Sequence, residues 1–500
     1  MPELLRAEWT KFRTVRGWVL TVVAAALVTM VPGLLFAAGS HSSCSEGPIE
    51  VPCPAPLLGP DGETVEDRFS FAHRELTGDG ALTVRLTSMT GVITYPPPDH
   101  DKIVAGLVPW AKAGIMVKDG TRPGSSYAAV LLTGGHGVRM QYDFAHDTAG
   151  RPGGVSPRSP RWLRLTRSGD RLTGYESPDG RHWTEVGTAR LSLPDTVRIG
   201  MFAASPGDLT VKQSETGGSI GQVRFTQTTA VFDQVSLQGA WAATEVGDSP
   251  GQTDWERYHR ANGLVRSGGT FTVTGTGDIA PSEDGPTVQD TLPGVPFGLV
   301  VVVVAAVLPI AAEYRRGLIR TTLLACPRRG RALAAKAAVI GVVAFAAGLA
   351  AAAVTAPIGM SLLRANGFVL PPTPLLTEVR VIAGVGMVFA LAAVLALALG
   401  ALFRRATGAV VTAVALVVLP YMLAVFSPVP DDVSRWLLRL TPAAGLAIQQ
   451  SVPAYPQVLS HYVPGTGYYP LPPWAGLAVT AGYAALALAL AIRSVRRRDA

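Results

Sequence analysis

Six long apolar runs without charged residues lie near the two ends of the chain. They cover 17–40, 291–312, 337–363, 381–403, 406–430 and 474–492. A transmembrane helix needs about 20 consecutive apolar residues to cross a hydrocarbon core about 30 Å thick, and each run is close to that length. Six such runs in one chain argue against buried helices of a soluble core. The pattern therefore predicts six transmembrane helices.

Between the first two runs, short stretches of alternating apolar and polar residues predict β-strands. Leu163 and Leu165 fall on one face of such a stretch, and the segments SGD and SPDG lie where hairpin turns are expected. Many short strands without a helical period predict an antiparallel sandwich. The stretch 263–281 is expected either to add strands to it or to form a return stalk. Further predicted strands lie within 113–119, 127–133, 137–143, 197–205 and 230–237.

The first apolar run shares two features with a secretory signal peptide. Basic residues precede it, and the small residues of FAAGS end it. The run is longer than the apolar region of a typical signal peptide, and five further runs follow. A retained transmembrane helix is therefore favoured over a cleaved signal.

Basic residues concentrate in alternate connections between the runs. The segments 1–16, 313–336, 403–407 and 493–500 contain 17 Lys and Arg residues against four acidic residues, whereas the whole chain has a formal net charge of +7. The positive-inside rule predicts that these segments and both termini are cytoplasmic. The large middle region is then extracellular, in a multi-pass protein of the plasma membrane. The topology explains the basic charge, so no nucleic-acid partner is expected.

The three cysteines fit the same topology. Cys44 and Cys53 lie just beyond the first run, where the surroundings are expected to be oxidising, whereas Cys326 falls in a predicted cytoplasmic segment. A disulfide between Cys44 and Cys53 is the expected arrangement. Two unpaired thiols are the alternative.

Nothing in the predicted outer domain has the pattern of a catalytic or metal site. Glycanases of sandwich fold commonly place paired carboxylates on one strand, about 5 Å apart, and no Glu-x-Asp-x-x-Glu run occurs here. Glu176 and Asp179 are expected to belong to a solvated hairpin turn. No catalytic residue, metal or cofactor is expected in this chain. Polar loop residues, rather than metal ligands, are predicted at His136, Asp143, His146 and Asp147.

The strand sequences AGIMVKD, ESPDGRHW and RIGMFAAS, the last followed by FDQVSL, resemble the laminin G-like, concanavalin A-like jelly-roll family over 66–239. The resemblance implies an extracellular jelly-roll β-sandwich at 66–240. A disulfide-bearing linker at 41–65 and a β-rich return segment at 241–290 would flank it. Because the family includes sugar binders, an extracellular carbohydrate or protein ligand stays open as a partner.

The basic connector EYRRGLIRTTLLACPRRGRALAAK, at 313–336, is longer than a tight turn requires. Ile319 and Leu323 lie one helical turn apart, which predicts a short helix over 317–325. Pro327 then ends it, because proline disfavours helical backbone at the preceding residue. The alternative is a basic anchor that contacts anionic lipid. That alternative accounts for the arginines but not for a helix ended by proline.

Three features together resemble the permease subunits of type-2 ABC exporters, over 1–40 and 291–500. They are the basic amino terminus LLRAEWTKFRTVRGW, the connector EYRRGLIRTTLLACPRRGRALAAK and the six runs. The resemblance implies a multi-domain membrane protein with a six-helix transmembrane domain. An all-β jelly-roll sandwich would be inserted between its first and second transmembrane helices. A second permease copy, identical or related, is an expected partner.

The resemblance also implies that ATP is hydrolysed elsewhere. No Lys follows a Gly in this chain, so the phosphate-binding Gly-x-x-x-x-Gly-Lys-[Ser/Thr] loop is absent from the sequence. A separate ABC ATPase subunit, carrying ATP and magnesium, is therefore an expected partner, and the connector is expected to be the segment that couples the two. The coupling residues are Glu313, Tyr314, Arg315, Arg316, Gly317, Ile319, Leu323, Pro327, Arg328, Arg329 and Arg331.

The amino terminus, 1–16, is predicted to be an amphipathic helix in the membrane interface. Contact with membrane lipids and contact with the ATPase are both open roles for it. The residues expected to define this helix are Leu5, Trp9, Lys11, Phe12 and Arg13.

An exporter permease is thus the favoured function, and the substrate is expected to be apolar or amphiphilic because the six runs contain no charge. A membrane-anchored receptor without transport and a surface glycosidase are the alternatives. Between the last two runs, the segment 433–450 predicts short helices on the outer membrane face.

Overall fold

The computed structural model describes residues 2–46, 49–95, 102–213, 219–247, 262–282, 285–315, 329–426, 430–458 and 463–498. They form a helical bundle and a sheet domain, which follows the first long helix in the chain. The helices are α1 (Pro2–Thr14), α2 (Arg16–Gly39), α3 (Val295–Arg315), α4 (Arg329–Ala365), α5 (Leu375–Phe403), α6 (Ala406–Val417), α7 (Leu419–Val425), α8 (Asp431–Leu440) and α9 (Pro473–Arg498). Short 3-10 helices cover Val288–Thr291, Pro442–Gln449 and Pro464–Thr466.

The strands lie in four antiparallel sheets of the described residues. They are β1 (Cys44–Glu46), β2 (Ile49–Val51), β3 (Val65–Asp67), β4 (Phe69–Thr77), β5 (Gly80–Thr94), β6 (Ile103–Ala105), β7 (Lys112–Lys118), β8 (Tyr127–Thr133), β9 (Val138–Tyr142), β10 (His146–Ala149), β11 (Arg161–Ser168), β12 (Arg171–Ser177), β13 (Thr184–Arg190), β14 (Thr196–Ala204), β15 (Asp208–Gln213), β16 (Ser219–Asp233), β17 (Ala242–Val246), β18 (Gly263–Ser267), β19 (Thr270–Gly275) and β20 (Ile279–Pro281).

Six helical segments within the described ranges are long and apolar enough to cross a membrane, which confirms the six predicted runs as helices and indicates a membrane protein. Several helices extend past the uncharged runs. α4 begins at Arg329 and α5 at Leu375, so Lys336 and Arg380 are helical. Long basic side chains suit such ends, because their stems pack on apolar surface while the charge reaches polar groups. The fifth segment divides into α6 and α7 near Pro420, since proline cannot donate the helical hydrogen bond.

Small residues bring α2 close to its neighbours. Ala25, Thr29, Gly33 and Ala37 are its buried residues, spaced four apart on one face. A Cβ atom added at Gly298 of α3 would lie 1.9 Å from Oγ1 of Thr29, so only glycine permits this approach. Such stripes of small residues are the usual way in which membrane helices pack without large side chains between them.

Two large sheets form a sandwich, as the alternating pattern predicts. The seven-stranded sheet has the order β10-β9-β8-β7-β14-β4-β17, and the larger sheet has the path β13-β12-β11-β5-β16-β19-β18, with β6 and β15 paired at its side. Inward residues such as Ile115, Val117, Leu163, Leu165 and Phe232 form one core between them. The strand β8 has the bounds of the predicted 127–133 stretch.

The chain after residue 240 adds strands to both large sheets before it returns toward the bundle, and within it the stretch 263–281 takes both of the roles that were alternatives for it. β17 joins the seven-stranded sheet, whereas β18 and β19 extend the larger one. β20 leaves the sandwich and pairs with β3, so that Ile279 is opposite Asp67. We call the two segments that carry this ladder, 57–67 and 278–282, the stalk. The sheets therefore continue past the domain boundary expected at residue 240.

Two local expectations are confirmed. Cys44 and Cys53 form a disulfide beside the β1–β2 ladder, which indicates an oxidising compartment for this part of the chain. The segment 433–450 is helical in α8 and in the following 3-10 helix. That 3-10 helix is buried against α9, where the Thr480 hydroxyl donates to the carbonyl oxygen of Pro442 at 2.7 Å.

Candidate functional site

One end of the bundle gathers α1, the end of α3, the start of α4 and the end of α9. Lys336 of α4 is bonded to Glu8 of α1, and a Cβ atom at Gly330 would touch the side chains of Ile492 and Arg496. We call this end the amino-terminal side and the opposite end, where the sandwich lies, the sheet side. The described ends of the basic connector are thus both on the amino-terminal side, next to α1.

Four charged residues meet there in what we call the ion cluster. Lys336 Nζ is 2.8 Å from Oε2 of Glu8 and 2.9 Å from Oε1 of Glu313. Lys11 Nζ donates to the same Oε1 of Glu313. Because Glu8 and Lys11 are three positions apart on α1, they lie on one helical face. The cluster therefore joins α1 to the last turn of α3 and to the first turns of α4.

The ion cluster is electrically balanced and largely withdrawn from solvent. The side chains of Glu313 and Lys336 are 3% and 8% exposed, whereas that of Lys11 is 36% exposed. Burying a charge is costly unless an opposite charge compensates it, and removing one partner of a buried pair typically costs about 3–5 kcal/mol. Two cations and two carboxylates satisfy this requirement only when α1, α3 and α4 are packed together.

The other residues of α1 divide between two faces. Leu5 and Phe12 are half-buried, and Phe12 lies beside Val302 of α3 and Ile340 of α4. Trp9 stacks on Phe12 with ring centroids 6.2 Å apart but is 47% exposed, and Arg13 is exposed. The helix thus packs through one stripe and leaves an aromatic and a basic side chain on its outer face.

The predicted coupling residues are only partly described. Tyr314 lies under the guanidinium group of Arg404, 5.4 Å from the ring centroid, which links the ends of α3 and α5. Arg315 and Arg331 are exposed, and Arg329 begins α4. The remaining predicted residues lie outside the described residues: Arg316, Gly317, Ile319, Leu323, Pro327 and Arg328.

Sequence reasoning selected Glu313 and Lys11 but did not select Glu8 or Lys336 as site residues. Glu313 was conspicuous as a lone acid in a basic connector. A comparable signal existed for Glu8, which is one of two acidic residues within the basic amino terminus. Its pairing with Lys336 across 328 positions could only be found from the packing of α1 on α4.

On the sheet side, the outer face of the seven-stranded sheet is covered by the stalk. Lys112 and Lys118 of β7 point to this face, opposite to Ile115 and Val117, and both are fully buried. Lys118 Nζ is 2.7 Å from Oδ2 of Asp67 in the stalk. Lys112 pairs with Asp278 and donates to the carbonyl oxygen of Ile279 at 2.7 Å.

Apolar residues complete this cover. Phe69, Phe71, Tyr127, Phe144 and Phe202 form a second core on the outer face of the sheet, with Leu57 of the stalk packed against it. Two buried ion pairs within an aromatic layer fix the stalk to one register on the sheet, because each lysine would otherwise be an uncompensated buried charge.

Direct hydrogen bonds join the sandwich to the bundle. The side-chain amide of Gln457, in the connection between α8 and α9, donates to the carbonyl oxygens of Phe144 and Ala145 at 3.1 and 3.2 Å. Below the stalk, the Ser451 hydroxyl donates to Thr287 at 2.8 Å. The sandwich is therefore held at two places, the stalk and Gln457, while the hydroxyl pair fixes the chain just after the stalk.

The polar residues weighed as catalytic or metal-binding candidates have structural partners. Asp147 accepts from Arg139 and Gln141, Asp143 accepts from Ser126, and His136 stacks on Trp110. His146 stacks on Tyr142 with ring centroids 4.3 Å apart. Within the described part of the chain, no group of three or more His, Cys, Asp or Glu side chains could hold a metal ion.

The hairpin at 177–183 differs in part from the expected solvated turn. Glu176 is buried, and its carboxylate accepts the backbone N–H of Arg151 at 2.6 Å, so it closes a loop instead of facing solvent. Asp179 does form the turn. Hydrogen bonds from the backbone N–H and the ring of His182 hold the pKa of Asp179 well below its usual range. The hydrogen bond between the His182 ring and the Asp179 carboxylate also raises the pKa of His182.

No family model matches the chain, and no curated protein matches it. A solved structure of a functionally unknown protein from Saccharomyces cerevisiae is 18% identical, covering 35% of this chain and 72% of its own, with a TM-score of 0.19. Two structures of scytalido-glutamic peptidase, with a transition state analog inhibitor and a peptide based transition state analog, are 10% and 9% identical. Each covers 43% of this chain and 100% of its own, with TM-scores of 0.24 and 0.25. These likenesses are too weak to bear on function.

Proposed function

We propose that the chain is the membrane-spanning permease subunit of an ABC-type exporter whose ATP is hydrolysed by a separate subunit. The ion cluster is the observation that carries this proposal. It fastens the amino-terminal helix and both described ends of the basic connector to one another. A force applied to the connector by a partner protein would therefore act on α1, α3 and α4 together.

The proposed orientation places the amino-terminal side in the cytoplasm and the sandwich outside the cell, at the plasma membrane. The basic residues of the four connecting and terminal segments support the cytoplasmic side, by the positive-inside rule. The disulfide between Cys44 and Cys53 supports an oxidising compartment on the sheet side. A second copy of the chain, or a related one, would complete the transporter, since two-fold pairing is the commonest closed symmetry.

A membrane-anchored receptor is the weaker alternative. If the sandwich has the proposed jelly-roll fold, its seven-stranded sheet is one of two faces open to a carbohydrate or protein. That face is covered by the chain's own stalk, through Lys112 and Lys118. A ligand could use it only by displacing two buried ion pairs.

The proposed coupling is tested with variants of the connector, in vesicles that contain the full chain and its partner ATPase. We expect Ile319→Asp and Leu323→Asp each to abolish export and the stimulation of ATP hydrolysis by substrate. A charge placed in a packed groove costs several kcal/mol unless it is paired, which weakens a modest interface strongly. The measurements are ATP hydrolysis and export, with protease accessibility as the check on orientation.

Val265→Asp is the matched control, because Val265 is an apolar residue of β18 in the sandwich, 67% exposed and on the other side of the bundle from the described ends of the connector. It introduces the same charge into the same protein and should leave coupling intact. Normal coupling in both connector variants, at normal expression, would contradict the proposed role and favour a basic lipid anchor.

A further inference from the structure

A cavity of about 510 Å³ lies on the sheet side, between the stalk and the helix ends. Its walls come from the stalk turn at 61–64, the start of α5 at 373–380, the segment 450–455 and Pro473 at the start of α9. Ligand pockets in proteins typically have volumes of about 300–1,000 Å³ and lie where domains meet. The size and position of this cavity are those of a binding site.

Two opposite charges with unsatisfied polar atoms line the cavity. One terminal nitrogen of Arg380 donates to the carbonyl oxygen of Gln450, but its Nε is buried and has no hydrogen-bond partner within the described part of the chain. The carboxylate oxygens of Glu63 are likewise buried, and the only hydrogen bond to them within the described residues comes from the backbone N–H of Glu63 itself. Arg380 thus lines the cavity with a cationic group, and Glu63 and Asp61 line it with carboxyl groups, which matches a ligand that carries both charges.

The electrostatics of the two charges agree with this account. Asp61, an exposed residue of the stalk turn, adds a second carboxylate near Glu63. Burial raises the pKa of Glu63, and the charge of Asp61 adds to the effect. A bound cation would relieve that repulsion, whereas the guanidinium group of Arg380 suits a phosphate or a carboxylate, which it can bind through two parallel hydrogen bonds.

Exposed apolar side chains begin directly beside the cavity, whose own wall is rich in proline. Pro374 and Pro473 line it, and the next residues of their helices are among the most exposed large apolar residues described. Leu376 is 83% exposed and Trp474 is 60% exposed. Because tryptophan is enriched at the level of lipid head groups, we expect the cavity to lie at that depth. A ligand here would therefore meet charges at one end and hydrocarbon surroundings at the other.

We propose that this cavity binds the head group of a zwitterionic amphiphile, a lipid whose phosphate or carboxylate contacts Arg380 and whose ammonium group contacts Glu63 and Asp61. The acyl chains then lie against Leu376 and Trp474. The proposal goes beyond the exporter function and does not depend on it, because it concerns binding in the absence of ATP and of any partner subunit.

The test is native mass spectrometry of the full chain released from vesicles of equal parts phosphatidylethanolamine and phosphatidylglycerol. We expect the chain to retain phosphatidylethanolamine about tenfold more than phosphatidylglycerol, and Arg380→Gln to lower that retention about tenfold, as expected for loss of one charged hydrogen-bonding partner. Glu63→Gln should reduce the preference between the two lipids. Equal retention of both lipids by the unmodified chain would overturn the proposal.

Arg364→Gln is the matched control, because Arg364 is an exposed arginine at the sheet-side end of α4 and does not line the cavity. It should retain lipid like the unmodified chain, and an equal loss in both arginine variants would overturn the site. Thr373→Phe fills the cavity without changing charge and should also reduce retention. An intact disulfide and an unchanged melting temperature confirm that each variant is folded.

Glycerophosphoethanolamine carries the same head group without acyl chains and separates a lipid from a free small molecule. We expect excess glycerophosphoethanolamine to leave most of the lipid bound, because the chains add apolar contact that the free head group lacks. Complete displacement by it would overturn the assignment of an amphiphile.

Discussion

The contact between stalk and sandwich on the sheet side and the ion cluster on the amino-terminal side both bury charges, but they compensate them in different ways. On the sheet side, Lys118 has one carboxylate partner, Asp67, and both side chains are fully buried. On the amino-terminal side, Glu313 is shared between Lys336 and Lys11, and Lys11 is partly exposed. An exclusive buried pair fixes one geometry, whereas a shared carboxylate keeps a counter-charge when one contact is lost. The contact between stalk and sandwich therefore holds the stalk in one register, whereas the ion cluster tolerates rearrangement.

The position of each arrangement fits that difference. The exclusive pairs lie where the stalk meets the sandwich and where β3 and β20 already fix the strands. The shared cluster lies where the basic connector begins and ends. A proposed transporter needs a stiff outer attachment and an inner contact that can change its partners during a cycle. Rearrangement of packed elements between discrete arrangements is a common way in which proteins switch states.

The largest expected effect follows from breaking an exclusive pair. Lys118→Met should lower the free energy of unfolding by about 3–5 kcal/mol, because the buried Asp67 loses its counter-charge and keeps only the hydrogen bond from the backbone N–H of Gly124. The measurement is denaturant or thermal unfolding of the purified full chain. Lys102→Met, a change at an exposed lysine stacked on Tyr95, is the control and should cost less than about 1 kcal/mol. Similar losses of unfolding free energy in both variants would show that the buried ion pair stabilises the fold no more than an exposed lysine does.

Breaking the shared cluster should cost less. Lys336→Met is expected to lower the free energy of unfolding by about 1–3 kcal/mol, since Lys11 still neutralises Glu313 while Glu8 loses its partner. Lys11→Met should cost less than about 1 kcal/mol, because this lysine is partly solvated. The same unfolding measurement applies. A loss for Lys336→Met as large as that for Lys118→Met would remove the contrast between the two ends.

The attachment through Gln457 should have a smaller and local effect. Gln457→Ala removes the two donors to the carbonyl oxygens of Phe144 and Ala145, at about 1 kcal/mol for a typical hydrogen bond. Amide hydrogen exchange within 143–149 should become faster. Gln238→Ala is the control, since the Gln238 side chain donates within the sandwich to Val235. Unchanged exchange at 143–149 would mean that the stalk alone holds the sandwich.

The exposed ion pair between His182 and Asp179 should give the smallest effect, and it extends the comparison from buried and partly buried charges to solvated ones. The pKa of His182 is raised by Asp179, so their attraction is fully present below the ordinary His pKa and is lost as the pH rises through the raised one. Asp179→Asn should return the His182 titration toward its ordinary value. Nuclear magnetic resonance of labelled histidine measures this. A titration that is identical in both proteins would show that the hydrogen bond is not formed in solution.

The sequence predicted the elements better than their contacts. Uncharged length alone identifies the six apolar helices, because a bilayer selects for it, but it misplaces helix ends such as those at Arg329 and Leu375. A search for uncharged length assigns basic residues to the connecting loops even where they continue a helix. Alternation predicted the sandwich but not the burial of Lys112 and Lys118. Both are buried because the stalk, which shows no pattern of its own, covers that face of the sheet.

The candidate site was predictable only in outline. Glu313 could be selected as the lone acid of the basic connector and Lys11 as a basic residue of the amphipathic amino terminus, whereas the partners of Lys336 depend on how α1 crosses α4. The cavity could not be predicted at all. Arg380 and Glu63 line it from segments more than 300 positions apart, so the sequence gives no sign that the two residues are close in space.

Because β3 and β20 pair with each other, the chain enters and leaves the sandwich at the same place. Asp67 and Ile279 are register partners, so the chain enters and leaves the sandwich at neighbouring points. Paired strands are only about 5 Å apart, a gap that a two-residue turn can bridge. A shortened chain that joins these two strands directly would keep all six apolar helices in order. Domains with adjacent termini are the kind that can be exchanged between hosts, so a different outer module could be grafted at this ladder without redesigning the bundle.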